Sequence, residues 1–349
     1  MTDQKKKLRD QMDIPLIAAP MFLVSNPDLA LECCKEGIVG SFPALNQRKS
    51  EDFEAWLIEM NEGREKLQKA DPDAKIAPYA VNLIVHPTNP RLEEDLELCV
   101  KHKVPIIITS LGAVPELVDK VHEYGGIVLH DVTNKRHAKK AADAGVDGII
   151  AVTAGAGGHA GTMNPVTLIK EIREVFDGIV VLAGGLTEGE DVLAAESMGA
   201  DFAYMGTRFI NTVESHASDE YKDMVCEADV SDIIYTDAVS GVPANFMRQS
   251  LEEAGYDIEA LKKAGANSGG KLKPLEEDAK AWKTTWSAGH GVGRIDDVPT
   301  VAELAKSLKE GYAKAYQKLM DNVPDSLKKK PEQKPSNSLR SKTNFKKGR

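Results

Sequence analysis

Short apolar runs alternate with amphipathic stretches along most of the chain, and the alternation repeats eight times. Residues 14–21, 38–42, 77–85, 105–110, 126–130, 148–152, 178–183 and 201–205 read as buried strands, since each is short, apolar on both faces and rich in β-branched residues. Helical stretches lie between them. Residues 26–36 are closed by Gly37; 50–67 carry Phe53, Leu57 and Met60 on one face; Leu92, Leu96 and Val100 form the next stripe. Leu117, Val118 and Val121 mark another helix, residues 135–144 a further one, and Pro165 opens the one after the sixth strand. Thr187 and Glu190 have the spacing of a capping box.

Eight such units predict an α/β fold, a (β/α)8 TIM barrel. A doubly wound open sheet would stop near about six strands and place a glycine fingerprint after the first, where this chain has Ala19, Pro20 and Met21. After Arg208 the alternation lapses. Residues 215–290, with the glycine-rich piece 264–270, therefore read as a small insertion or lid after strand eight. A last helix with Val301, Leu304, Ala305, Leu308, Tyr312 and Leu319 on one face closes the barrel. The expected division is an N-terminal extension over 1–13, the barrel over 14–214 and 291–322, the lid over 215–290, and a tail over 323–349.

Composition narrows the class. Of 349 residues 42% are hydrophobic and 28% charged, as in a globular protein, and no apolar run nears the roughly 20 residues of a membrane span. With no signal-type segment behind the lysine-rich start, the expected location is cytoplasmic. A net charge of −10 argues against nucleic acid as the main partner. The basic, Pro- and Ser-rich tail is expected to be disordered and without a role. Cys33, Cys34, Cys99 and Cys226 contain no CxxC pair; Cys34 and Cys99 read as small apolar residues, and no metal site is expected. His86, His102, His122, His137 and His216 are expected in solvent.

The chemistry is expected at the C-terminal ends of the strands. Residues 154–161, Ala-Gly-Ala-Gly-Gly-His-Ala-Gly, follow the sixth strand; their glycines allow close approach of backbone to a ligand. His159 reads either as a structural histidine on a tight turn or as the one group there able to move a proton near neutral pH. Gly184 and Gly185 after strand seven, with Gly206 and Thr207 after strand eight, fall where barrels hold a phosphate on backbone N–H groups. His130 ends strand five, beside Asp131, which is the strongest acid candidate at a strand end.

As an ordered set, Ala19-Pro20-Met21, Val81-Asn82-Leu83, the glycine–histidine run through 156–159, 183–186 and Met205-Gly206-Thr207 resemble nitronate monooxygenase, formerly 2-nitropropane dioxygenase, over roughly residues 14–320. The resemblance implies an FMN-dependent barrel. On it, Pro20 and Met21 pass the flavin ring, Asn82 supplies a polar contact, and Gly157 and Gly158 give backbone contacts. Gly184, Gly185, Met205, Gly206 and Thr207 cradle the phosphate, and His159 is catalytic. The implied reaction oxidises alkyl nitronates, or nitroalkanes, with O2 to a carbonyl compound and nitrite. Partners would be the nitronate and O2, with a homo-oligomer compatible with the sequence.

This chain departs from the family pattern at Val152, Gly155 and Ala156, where relatives are often polar or acidic. Asp131 stands where some members carry Lys, and His290 where relatives usually show Gln; Asp131, His130 and His290 are thus candidate substrate or flavin contacts. Two rivals use the same barrel, an FMN-dependent NAD(P)H enoyl reductase and a quinone reductase. A non-redox phosphate-binding isomerase or aldolase is a third reading from another class.

Overall fold

The computed structural model describes residues 3–112, 114–265 and 282–327. In chain order its strands are β1 (Leu16–Ala18), β2 (Gly40–Pro43), β3 (Tyr79–Ile84), β4 (Ile106–Ser110), β5 (Ile127–Val132), β6 (Gly148–Val152), β7 (Gly158–His159), β8 (Ile179–Ala183), β9 (Phe202–Met205), β10 (Ile233–Thr236) and β11 (Ala244–Met247). All but β7, β10 and β11 form one parallel sheet in the order β1-β9-β8-β6-β5-β4-β3-β2. Its ends meet at Ile17 and Val39. There the Ala18 N–H donates to the Val39 carbonyl at 2.8 Å and the Val39 N–H to the Leu16 carbonyl at 3.2 Å. The sheet is thereby a barrel, as the eightfold alternation predicts.

Strand side chains alternate between two apolar clusters. Ile17, Val39, Ala80, Ile106, Ile108, Leu129, Ile150 and Val181 fill the barrel interior. Leu16, Val81, Ile107, Val128, Ile149 and Val180 pack outward against the helices. The N-terminal segment is part of this core. Its helix Asp3–Asp10 carries Leu8, which with Met12 is buried among the interior residues and plugs the barrel. Burying a Leu or Met side chain contributes about 1.5–3 kcal/mol. Two apolar residues beside a run of lysines give little periodicity, so the plug leaves almost no mark in the sequence.

Several local expectations are corrected. The helix Gly189–Met198 is capped at Glu188, and it is Asp191 that accepts from the N–H groups of Thr187 (2.8 Å) and Glu188 (2.9 Å), so Glu190 is not the box partner. On the closing helix Val301–Asn322 the buried stripe ends at Leu308, with Tyr312 partly covered, while Leu319 is exposed. His102 and His122 are not free in solvent; they pair with Glu54 (2.7 Å) and Asp147 (2.8 Å). Cys33, Cys34 and Cys99 are buried thiols, as expected for Cys34 and Cys99.

Residues 215–265 are tied to the sixth strand's loop by sheet pairing. Strands β10 and β11 pair antiparallel, and β11 pairs in turn with β7, bringing Ala244 opposite His159 and Asn245 opposite Gly158. The glycine-rich piece beyond Gly265 and the tail beyond Leu327 lie outside the described residues. Among the described residues no helix is long and apolar enough to cross a membrane.

Candidate functional site

A cavity of about 1160 Å³ opens at the C-terminal ends of the barrel strands. Such pockets usually span about 300–1,000 Å³ for ligands of drug size. Of the sequence-predicted residues, Pro20, Met21, Asn82, Gly157, Gly158, His159, Gly184, Gly185, Gly206, Thr207, His130 and Asp131 all line it. Met205 does not. It is buried, and its carbonyl accepts the Ala19 N–H at 2.8 Å. His290 does not either; it is exposed, and its N–H donates to the Gly155 carbonyl at 3.0 Å.

Three glycine segments meet on one wall. The Gly185 N–H also donates to the Gly155 carbonyl, at 3.0 Å, and the Gly289 N–H donates to Thr207 Oγ1 at 2.9 Å. A Cβ on Gly289 would stand 2.5 Å from the Gly155 carbonyl oxygen, and one on Gly291 only 2.5 Å from Thr187 Cγ2. Gly289 and Gly291 also line the cavity, and the sequence reading did not single them out. The signal is a Gly-x-Gly pair before the closing helix, which straddles the expected boundary between lid and barrel at 290/291. Gly185 differs from these neighbours. Its φ is +71°, and a Cβ there would meet nothing within 4 Å, so bare backbone faces open space. That is the setting a phosphate or other anion needs in order to approach N–H groups.

His159 is set in a strand, not on the tight turn of the structural alternative. Pairing of β7 with β11 fixes its backbone, and Asn245 Nδ2 ties the preceding run by donating to the carbonyls of Ala154 (2.9 Å) and Ala156 (2.7 Å). The imidazole stands edge-on to Trp282, with centroids 5.6 Å apart, and its Nε2 lies 3.5 Å from Ser240 Oγ. Burial pushes its pKa down to about 4, which corrects the expectation of an unperturbed histidine. The imidazole is therefore neutral at neutral pH. His130 is likewise pushed down to about 4 by burial, with its Nδ1 2.7 Å from Thr109 Oγ1. His137, expected in solvent, is half-buried at the cavity rim.

A polar layer crosses the barrel beneath the cavity. Asn82 Nδ2 donates to Ser110 Oγ at 2.8 Å, and Ser110 Oγ donates to Asp131 Oδ2 at 2.5 Å. The other carboxyl oxygen, Oδ1, is buried without a hydrogen-bond partner. Burial raises the Asp131 pKa to about 6 despite the Ser110 bond, which lowers it. Tyr204, on β9, is raised by burial and then by the Asp131 charge.

Comparison with known proteins agrees with this geometry. The family profile described as nitronate monooxygenase matches residues 5–311. Nitronate monooxygenase of Neurospora crassa is 26% identical, with 87% of this chain and 90% of that protein aligned. Among solved structures, FabK from Thermotoga maritima superposes with a TM-score of 0.72 at 23% identity, over 91% of this chain and 99% of that one. Nitroalkane oxidase from Streptomyces ansochromogenes gives 0.70 at 24% identity, over 89% and 99%. At those identities the two structures speak to fold alone.

Proposed function

Since the chain belongs to the nitronate monooxygenase family, we propose that it uses FMN to oxidise alkyl nitronates with O2, giving a carbonyl compound and nitrite. Members of this family are flavin-dependent oxidoreductases, and the chain is one. The finer reading, FMN and the nitronate, is supported by one arrangement above all: an open glycine cradle and a strand-held neutral histidine share one cavity.

The residues fit a flavin mononucleotide. Gly184, Gly206 and Thr207 would hold its phosphate on backbone N–H groups, with the open space beside Gly185 leaving room for it; Pro20 and Met21 would flank the ring, and Asn82, Gly157 and Gly158 would give further contacts. When bound, the flavin supplies the electron transfer from substrate to O2. The chain supplies position and proton handling. With its pKa near 4, His159 is ready to accept the proton next to the nitro group of a neutral nitroalkane, or to orient a preformed nitronate.

Heat release of the flavin followed by chromatography tests the cofactor: one FMN per chain is expected, and FAD or no flavin would overturn it. Anaerobic mixing with ethylnitronate should bleach the flavin. Bleaching by NADH but not by ethylnitronate would favour the reductase reading instead.

A further inference from the structure

The Asp131 carboxyl has no role in the reading above. It lines the cavity from β5, points inward with Leu129, and has Oδ2 saturated by Ser110 while Oδ1 is buried without a partner. A carboxylate in such a place is costly, because half of its charge has neither water nor a donor. The groups around it do not compensate. Ser110 on β4 gives one bond and is itself held by Asn82 on β3. Tyr204 on β9 is neutral, His130 on β5 is engaged with Thr109, and His137 lies toward His130. His159 across the cavity is neutral above about pH 4. Lys140 stands exposed on the rim, and no salt bridge reaches Asp131 among the described residues.

An anion placed beside Asp131, on the side of the cavity away from the glycine cradle, therefore meets an uncompensated carboxylate across a medium of low polarity, where like charges repel far more than in water. We propose that Asp131 is the charge gate of the cavity: an anionic ligand enters together with a proton on this carboxyl, whereas a neutral ligand of the same shape enters without one. That the natural anion is a nitronate rests on the reading above. The gate itself rests on the unpartnered oxygen and the lack of a nearby cation. It makes Asp131 a specificity-determining residue, which turns the site from anions toward neutral substrates as pH rises.

The test uses benzoate and its neutral isostere nitrobenzene, titrated into the holoprotein by calorimetry, so that neither turnover nor the identity of the natural substrate enters. With the Asp131 carboxyl titrating at about 6, benzoate affinity should fall about 25-fold from pH 5.5 to 7.5 if only the protonated form binds. Nitrobenzene affinity should stay flat. Asp131→Asn should remove the benzoate slope and keep the affinity of the acid limb. Ser110→Ala removes the donor that favours the carboxylate, so it should move the slope to higher pH. A benzoate slope within about threefold of the nitrobenzene one overturns the gate, as does an unchanged slope in Asp131→Asn. If Asp131→Asn does not fold, the wild-type comparison and the Ser110→Ala shift decide alone.

Discussion

The two mouths of the barrel are made by the same strands and have opposite character. At the N-terminal end the interior is closed by Leu8 and Met12, apolar and almost without exposure. At the C-terminal end the inward positions turn polar, with Asn82, Ser110, Asp131 and Tyr204, and glycine backbone replaces side chains on the wall. The lower mouth gains stability from burial. The upper one keeps an unpaired carboxyl oxygen, bare glycine backbone and neutral histidines, each costly in a sealed core. The difference shows where this chain gives up stability for chemistry, and substitutions on either side should separate the two.

The largest expected effect is on the upper side. His159→Asn should lower turnover of neutral nitroethane by about 10²–10⁴-fold while sparing much of the rate on ethylnitronate, measured as oxygen uptake. Equal losses on both substrates would assign His159 to orienting the anion. On the lower side, Met12→Ala should cost about 2–5 kcal/mol of stability in denaturant melts and leave flavin content per folded chain unchanged. A variant that loses flavin without losing stability would break the division.

Gly185→Val is the converse. No atom clashes with a Cβ there, so stability should fall only by about 1–2 kcal/mol from the left-handed backbone, while flavin retention is lost on gel filtration.

Acid sharpens the contrast further. His159 and His130 are held near 4 in the fold against an ordinary 6.5, so the unfolded chain binds more protons between those values. Stability should fall as pH drops from about 6.5 toward 4. Asp131, raised to about 6 against 3.8, opposes this by gaining a proton in the fold over much of the same window. Melting temperatures of His130→Gln against wild type should show a shallower acid loss. The smallest effect is expected from truncation after Asn322. Leu327 is exposed and Asp325–Leu327 buries nothing, so the melting temperature should not move.

The barrel and most of its upper wall were readable in the sequence for a physical reason. A strand buried on both faces is mostly apolar, and glycine lets backbone approach a ligand closely. Both leave marks in one dimension. What the sequence concealed depends on pairing across distance. Nothing near His159 announces that residues 244 and 245 will make it a strand, or that Gly289 and Gly291 will complete a wall begun by Gly155 and Gly185. The lowered pKa of His159 was hidden for the same cause, since burial belongs to the assembled site.

That strand pairing has a consequence for how the protein matures. The last barrel strand ends at Met205, and the β/α units before it rely on contacts between neighbours in sequence. His159 waits for a partner some eighty residues later, and the Thr207 hydroxyl for Gly289. Closing such long loops comes late, because their ordering entropy is lost before the contacts form. On the ribosome the barrel strands emerge first, and the site is finished only when the segment through Gly291 has arrived. The wall of the cavity and the strand that carries His159 therefore depend on contacts supplied by residues 244–289, long after the barrel strands that frame them.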